Sequence, residues 1–341
     1  MEPLILERIR ESLVQRRDNL TEWIRSIPYT KKEVLLGPVP EQAFLAHVET
    51  IDEAIQKAEQ GTLGRCEVCQ DSVETELLEI DYTACVCLDH FSKAEKRQLE
   101  SELELAQNVQ RMLLPQALPD LPGLDLAAFT RPAQLVGGDY FDFIDFKDER
   151  LGIAIADVAG HGVSAGLHMA SVQSLLRVLV PGNLSPAEVA RKLNRLFIHN
   201  VNYTTFVSLF IGSFDLTGKT LTYCNAGHNP PLLLQVDPDG MKESWLQPTG
   251  PAIGLVEEAT FGEETVGLAM GDLLVLYTDG VTEAVNPRNE EFGVGRMQDV
   301  IRAHSQESSE ELIRGIRQGL ETFIEEQAPA DDLTLVIGKI L

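Results

Sequence analysis

Four stretches far apart in the sequence each place an aspartate beside a short apolar run. The run over residues 151–156 ends in Asp157, and Gly160 and Gly162 follow in a turn before a helix begins. Glycine lets the backbone come close to whatever the carboxylate holds. Carboxylate oxygens are the ligands that hard divalent metals prefer. The pattern therefore predicts a metal site to which distant segments contribute Asp139, Asp157, Asp279 and Asp331.

Length and charge exclude several classes of protein. With 341 residues, 44% of them hydrophobic, the chain can form two domains with a substantial core. Its formal net charge of −25 argues against a nucleic-acid partner, which would need a basic face. No apolar run approaches bilayer length, and the N-terminus lacks a secretory signal. We therefore expect no membrane partner and a cytoplasmic location.

Residues 1–60 have the spacing of a helical hairpin. Apolar residues recur at helical intervals over residues 4–25 and 41–60, and a proline-containing connection separates the two segments. Gly61 is expected to end the second helix. This segment is predicted to pack without chemistry of its own.

The cysteines are clustered. Four of the five lie between Cys66 and Cys87, which without an export signal indicates a metal site rather than disulfides. The two residues between Cys66 and Cys69 are the spacing of a tetrahedral zinc knuckle. Spacing alone leaves the second half of the site open, because Cys85, Cys87 and His90 lie close together.

Residues 51–69 resemble the start of a DksA/TraR-type zinc finger. That family places seventeen residues between its two cysteine pairs, and seventeen residues separate Cys69 from Cys87. The resemblance implies a structural Zn²⁺ in a finger over residues 61–92, with His90 in place of the family's fourth cysteine and Cys85 as the alternative. The implied ligands are Cys66, Cys69, Cys87 and His90. RNA-polymerase binding is not implied, since the family's long coiled coil is abbreviated here.

A connector follows over residues 93–122. Apolar residues recur in a heptad-like stripe over residues 92–114, at Leu99, Leu103, Ala106, Val109 or Gln110, and Leu113. Pro115, Pro119 and Pro122 then end the helix and separate it from the next domain. The stripe either packs on its own domain or forms the seam of a homodimer, which would place it to carry a signal to the catalytic part.

Residues 123–341 are predicted to form a domain with a different pattern of secondary structure. Short strand-like runs follow one another with few helices between them, which favours antiparallel sheets with helices packed outside, an α+β fold. Four carboxylate stretches suit two Mn²⁺ or Mg²⁺ ions. Such a pair suits hydrolysis of a phosphate ester without a covalent enzyme intermediate.

Five ordered pieces carry a second resemblance: Gly137-Gly-Asp-Tyr-Phe-Asp142, Asp157-Val-Ala-Gly-His-Gly162, Ala226-Gly-His-Asn-Pro-Pro231, residues 271–283 and Asp331-Asp-Leu-Thr334. With them the domain resembles the metal-dependent protein serine/threonine phosphatases (PPM, the protein phosphatase 2C superfamily), and within these the bacterial SpoIIE/RsbU group of partner-switching pathways. The resemblance implies a sandwich of two antiparallel β-sheets flanked by helices, preceded here by the small helical zinc-finger module.

The same resemblance implies roles for five residues. Asp157 would bridge the two metals, and the backbone carbonyl of Val158 would bind one of them. Asp279 and Asp331 would hold the other. Asp139 would orient a metal-bound water or bind through it.

Other polar residues near these motifs have weaker assignments. Asp332 stands where relatives often carry asparagine. His161 could protonate the leaving oxygen of the serine, but it does not occupy the place of the acid histidine in the eukaryotic branch. For His228 a structural hydrogen bond is expected. No arginine is securely placed for the phosphate, and Arg131 is one candidate.

The sequence therefore predicts a Mn²⁺/Mg²⁺-dependent phosphoserine/phosphothreonine protein phosphatase that acts through two metals and a bridging water. Its expected substrate is a STAS-type anti-sigma-factor antagonist, and its expected control is the N-terminal module. One alternative is a non-catalytic regulator that uses the fold and the finger for protein contacts. Another starts from Gly137-Gly-Asp139, the turn of diguanylate cyclases, but the following Tyr140-Phe141 breaks that pattern.

Overall fold

The computed structural model describes residues 10, 13–14, 17–18, 21, 41–73, 78, 84–146, 150–160, 162–182, 185–198, 205–237, 240–325, 327 and 329–341. The chain divides into two compact units, Met1–Ser101 and Glu102–Leu341. Most of the helix predicted over residues 4–25 lies outside the described residues. The domain limits predicted at residues 60, 92 and 122 stay predictions.

The first unit contains helix α1, Glu41–Glu59, as the periodicity predicts. Gly61 follows it with a φ of +66°, a conformation that glycine adopts without strain, and its N–H donates to the Ala58 carbonyl at 3.0 Å. A short 3-10 turn, Leu88–His90, precedes helix α2, Lys93–Leu113. The apolar side of α1 forms one buried cluster with a neighbouring loop residue and with Leu13 of the N-terminal segment: Leu13, Ile51, Ala54, Ile55, Ala58 and Leu63.

The described part of the second unit contains ten strands: β1 Leu124–Arg131, β2 Tyr140–Asp145, β3 Leu151–Val158, β4 Val207–Asp215, β5 Thr220–Ala226, β6 Leu232–Asp237, β7 Gly240–Trp245, β8 Glu264–Gly267, β9 Leu273–Tyr277 and β10 Leu333–Ile340. They form two five-stranded sheets, in the orders β1-β10-β9-β6-β7 and β2-β3-β4-β5-β8. All neighbouring strands in these sheets run antiparallel.

Helices cover the outer face of each sheet. Helices α3, Gly162–Leu179, and α4, Pro186–Ile198, pack on the sheet that contains β3. The other sheet carries α5, α6 and α7, which span Asp279–Glu283, Gly293–His304 and Ser309–Ile324. A capping box between Ser308 and Glu311 begins α7.

Side chains of β3 alternate between two faces of the strand, and both faces are covered. Ile153 and Ile155 point into the core between the two sheets, where they join residues of β4, β9 and β10. Ala154 and Ala156 point the other way, and their small side chains let α3 approach closely. A strand covered on both faces reads as a continuous apolar run. The predicted α+β sandwich of two antiparallel sheets flanked by helices is confirmed.

One prediction about apolar runs is corrected. The segment Gly162–Gly182, which contains α3, is long and apolar enough to cross a bilayer by length and composition alone. The sequence analysis found no run of that length. The apolar character has a local reason, because one side of α3 belongs to the core: Ala165, Gly166, Met169, Val172 and Leu176 are buried.

Candidate metal centre and active site

The predicted carboxylates come from both sheets. Asp157 lies near the end of β3, and Asp139 directly precedes β2, the neighbour of β3. Asp279 begins α5 after β9, and Asp331 lies just before β10, which pairs with β9. Antiparallel pairing within each sheet therefore brings distant segments to one end of the sandwich.

The electrostatics of Asp157 indicate that these carboxylates share one site. Burial raises the pKa of Asp157 to about 7, together with the negative charges of Asp279 and Asp331 and then those of Asp332 and Glu283. Burial and then the charge of Asp331 raise the pKa of Asp279 as well. Carboxylates that oppose each other's ionisation in a buried place are stabilised by a cation between them. The donor set therefore fits hard divalent ions.

Asp139 is held by a threonine that the sequence analysis missed. Thr278, which is fully buried, donates from Oγ1 to Oδ2 of Asp139 at 2.7 Å and accepts from the Thr334 N–H at 3.0 Å. Burial, and next the charge of Asp157, raise the pKa of Asp139 well above its ordinary value. The residue before Asp279 thus fixes the orientation of a carboxylate that belongs to the other sheet.

Asp332 supports the Gly-Gly-Asp turn. Its side chain accepts hydrogen bonds from the backbone N–H groups of Ala133 at 2.7 Å, Gly138 at 2.6 Å and Asp139 at 3.3 Å. A Cβ on Gly137 would lie 2.3 Å from Oδ2 of Asp332, so this close support requires glycine. The contacts give Asp332 a turn-holding role, and its weaker assignment to the metals stays a prediction.

Two further glycines of the motifs are explained by close backbone approaches. A Cβ on Gly138 would lie 2.8 Å from the Val158 carbonyl oxygen, the predicted backbone ligand. A Cβ on Gly280 would lie 2.1 Å from the Asp332 carbonyl oxygen. Side chains at these positions would push apart the segments that carry the carboxylates, because real Cβ contacts are longer than this.

Glu283 is an additional carboxylate at the site. It ends the short helix α5, four residues after Asp279, and its charge contributes to the raised pKa of Asp157. Burial, and then the charge of Asp279, raise the pKa of Glu283 itself. The sequence signal was present, because residues four apart share one face of a helix.

Of the two histidines in the motifs, the structure describes His228. His161 lies outside the described residues. His228 is 2% exposed, and its Nδ1 lies 2.7 Å from Oγ of Ser208, the residue opposite Asp157 in the pairing of β3 with β4. Burial lowers the pKa of His228 to about 4, so the ring is neutral at physiological pH. The structural hydrogen bond expected for His228 is present.

The first unit brings together a separate set of ligand-type side chains. Cys66, Cys69, Cys87 and His90 each offer an atom within 4.8 Å of the others, and Cys85 is not part of this group. The sulfurs of Cys69 and Cys87 lie 3.7 Å apart. A tetrahedral ion with zinc–sulfur bonds of about 2.3 Å requires about 3.8 Å between two sulfurs. The donors therefore fit zinc.

Comparison with known proteins is consistent with this geometry. The sequence model of the family described as Stage II sporulation protein E (SpoIIE) matches residues 147–340. The phosphoserine phosphatase RsbU of Bacillus subtilis is 31% identical over 244 residues, which cover 71% of this chain and 71% of RsbU. Protein IcfG of Synechocystis is 32% identical over 262 residues, which cover 69% of this chain and 41% of IcfG. The chain thus spans less than half the length of IcfG.

A solved structure shares the fold. The SiaA-PP2C domain of Pseudomonas aeruginosa superimposes with a TM-score of 0.64 at 20% sequence identity, over 73% of this chain and 100% of that domain. At this identity the likeness concerns the fold, and it agrees with the two antiparallel sheets and their flanking helices described above.

Proposed function

Because this chain belongs to the SpoIIE family and is a protein-serine/threonine phosphatase of the RsbU type, we propose that it hydrolyses phosphoserine or phosphothreonine on a STAS-type anti-sigma-factor antagonist in the cytoplasm. One observation carries this proposal. Asp279 and Asp331 lie close enough to Asp157, at one end of the sandwich, for their charges to raise its pKa, and the charge of Asp331 also raises the pKa of Asp279. The name of RsbU, a phosphoserine phosphatase, supports the reaction type.

The proposed ligands of two Mn²⁺ or Mg²⁺ ions are the carboxylates and one backbone carbonyl. Asp157 would be shared by both ions, the Val158 carbonyl would hold one, and Asp279 with Asp331 would hold the other. When bound, such ions lower the pKa of a coordinated water and neutralise charge on the phosphoryl oxygens. Asp139, oriented by Thr278, would hold and direct a water molecule at this site.

The residues around these ligands keep them in place before substrate arrives. Asp332 holds the turn that precedes Asp139 through three backbone hydrogen bonds. Thr278 connects Asp139 to the Thr334 N–H in the other sheet. Ligands fixed by surrounding hydrogen bonds need little rearrangement when the ions and the phosphoryl group bind.

The direct test of the proposed function is a phosphate-release assay. We expect the full-length chain with Mn²⁺ to release phosphate from a phosphoserine STAS-type protein and from para-nitrophenyl phosphate, and to lose both activities in EDTA. Asp279→Asn should lack activity, whereas Asp299→Asn, an exposed position on α6, should retain it. Absence of Mn²⁺-dependent turnover while the phosphoprotein still binds would instead favour the non-catalytic regulator.

Control through the N-terminal module is supported by a contact of α2 within the second unit. Gln110 on α2 donates from Nε2 to the Gly137 carbonyl at 2.5 Å and accepts at Oε1 from the Gly137 N–H at 3.1 Å. Gly137 belongs to the turn that leads to Asp139. Movement of α2 would therefore act directly on the turn that positions this carboxylate.

Gln110→Leu should weaken the response to Mn²⁺ because it removes both hydrogen bonds to the turn. Two bonds of about 1 kcal/mol each correspond to roughly 30-fold, and we expect an increase of about tenfold or more in the Mn²⁺ concentration for half activity. Asn108→Leu is the matched control, because Asn108 lies exposed on the same helix. An unchanged Mn²⁺ dependence in Gln110→Leu would show that α2 does not act through this contact.

A homodimer through residues 92–114 is also proposed. The predicted stripe on α2 is partly buried, and α2 contains no fully buried residue. On another side of the helix three apolar side chains at helical spacing, Leu105, Val109 and Met112, are 64%, 51% and 77% exposed. Apolar residues at positions i, i+4 and i+7 suit contact with a second helix.

A further inference from the structure

A cavity of about 330 Å³ lies beside the carboxylate site, and part of its wall is positively charged. Asp139 and Asp332 line one part of it. Three arginines also line it, Arg111 from α2, Arg131 from the end of β1 and Arg317 from α7, among mostly uncharged residues. The proposed metal ligands Asp157, Asp279 and Asp331 do not line the cavity, so it adjoins these ligands and shares Asp139 with the site.

Two of these arginines have no anionic partner among the described residues. The side chains of Arg111 and Arg131 make no ion pair or hydrogen bond there, although the chain has 53 acidic against 28 basic residues. Other arginines in the second unit are paired, for example Arg177 with Asp142 at 2.6 Å and Arg302 with Glu243 at 2.6 Å. Arg111 and Arg131 are solvent-exposed, so their guanidinium donors are available to an external anion.

Arg317 is held in a fixed orientation at the same cavity. Its guanidinium carbon lies 4.1 Å from the centre of the Phe129 ring, and one terminal nitrogen lies 3.7 Å from Glu321. Its Nε is buried and has no hydrogen-bond partner among the described residues. A buried donor without a partner is costly unless a ligand satisfies it. The guanidinium is thus oriented by an aromatic ring and keeps a donor free.

The chemistry of the cavity selects an anion with paired oxygens. Guanidinium groups bind carboxylate and phosphate through two parallel hydrogen bonds, and several of them in one cavity repel each other until an anion neutralises them. The phosphoryl group to be hydrolysed belongs with the metal ligands, which lie outside the cavity wall. The arginines therefore suit a second anionic group on the same substrate.

We propose that Arg111, Arg131 and Arg317 form a subsite that binds an acidic side chain close to the phosphoserine of the substrate protein. This inference rests on the proposed function. The subsite would select phosphoproteins by the sequence around the phosphorylated residue. Since Arg111 lies one residue after Gln110 on α2, the substrate's acidic group would contact the same helix that holds the Gly137 turn.

The test compares two phosphoserine peptides that differ only in having aspartates or asparagines beside the phosphoserine. With the full-length chain and Mn²⁺, kcat/KM should favour the aspartate peptide about tenfold. The double variant Arg111→Gln/Arg131→Gln should reduce this ratio to about one. Arg314→Gln should retain the wild-type ratio, because Arg314 lies on α7 but pairs with Glu310 and does not line the cavity.

Three other results would overturn the subsite. Equal turnover of both peptides by the wild-type chain would mean that charge beside the phosphoserine does not affect kcat/KM. A preference that survives in the double variant would assign it to other residues. Equal losses on both peptides in the double variant would place the arginines at the phosphoryl group itself. No Mn²⁺-dependent release from either peptide by the wild-type chain would instead refute the proposed function, so the two failures are distinguishable.

Discussion

Asp157→Asn should abolish the phosphatase activity and yet stabilise the metal-free protein. The substitution keeps the volume of the side chain but removes the charge that would be shared by both ions. Metal ions contribute several kcal/mol to phosphoryl transfer, so the loss of one shared ligand should lower kcat/KM by about 10³-fold or more. Phosphate release from para-nitrophenyl phosphate at saturating Mn²⁺ measures this effect.

The stability effect follows from the raised pKa of Asp157. An unfolded aspartate has a pKa of about 3.9, whereas burial and the neighbouring carboxylates raise that of Asp157 to about 7 in the folded protein. Between these values the folded state binds more protons than the unfolded state. The free energy of unfolding of the metal-free protein should therefore fall as pH rises from about 4 to about 7. The amide in Asp157→Asn would be uncharged throughout. Over this range the variant should therefore lose up to about 4 kcal/mol less stability than the wild-type protein.

Thermal unfolding in EDTA at pH 5 and pH 8 tests the second half of this prediction. The wild-type protein should lose more stability between the two values than Asp157→Asn. Asp145→Asn serves as the control, because Asp145 is exposed at the end of β2 and the substitution removes the same charge. Activity close to wild type in Asp157→Asn would refute the role of Asp157 at the metals, and a metal-free variant less stable than wild type would refute the repulsion argument.

The sandwich could be predicted because its main strands carry their own pattern. β3 is apolar from Leu151 to Ala156 because helices and the second sheet cover both of its faces, and β9 is fully buried in the same way. The short edge strand β8, Glu264–Gly267, was not predicted. Its residues are mostly exposed, so it carries no apolar signal and depends on its pairing with β5.

The carboxylates could likewise be found from the sequence, but their supports could not. Asp139 precedes a strand and Asp279 follows one, each in a recognisable turn. The contact of Thr278 with Asp139, by contrast, joins residues 139 positions apart. The contact between Asp332 and Gly138 joins residues 194 positions apart. Such contacts follow from the packing of two sheets, and no local spacing encodes them. Glu283 could have been predicted from the sequence, because it lies four residues, about one helical turn, after Asp279.

Cys66→Ser and His90→Ala should each reduce bound zinc from one ion per chain to none, whereas Cys85→Ser should retain it. Zinc content would be measured with excess Mn²⁺ present, so that the aspartates do not take up zinc. Cys66 is fully buried. Burial raises the pKa of its thiol, but backbone N–H groups, including those of Cys69 and Cys87, outweigh this effect and lower the pKa to about 6. A thiolate is the form that binds zinc.

Cys85 differs because its backbone, not its thiol, takes part in the finger. Its carbonyl accepts a hydrogen bond from the Glu67 N–H at 2.7 Å, a contact that serine at this position would keep. Zinc in such modules contributes about 10–16 kcal/mol, so variants that lose the ion should also lose the cooperative thermal unfolding of the first unit. If Cys85→Ser lost zinc while His90→Ala retained it, Cys85 would be the fourth ligand, and the backbone of the 85–90 segment would have to rearrange to bring that thiol to the other three.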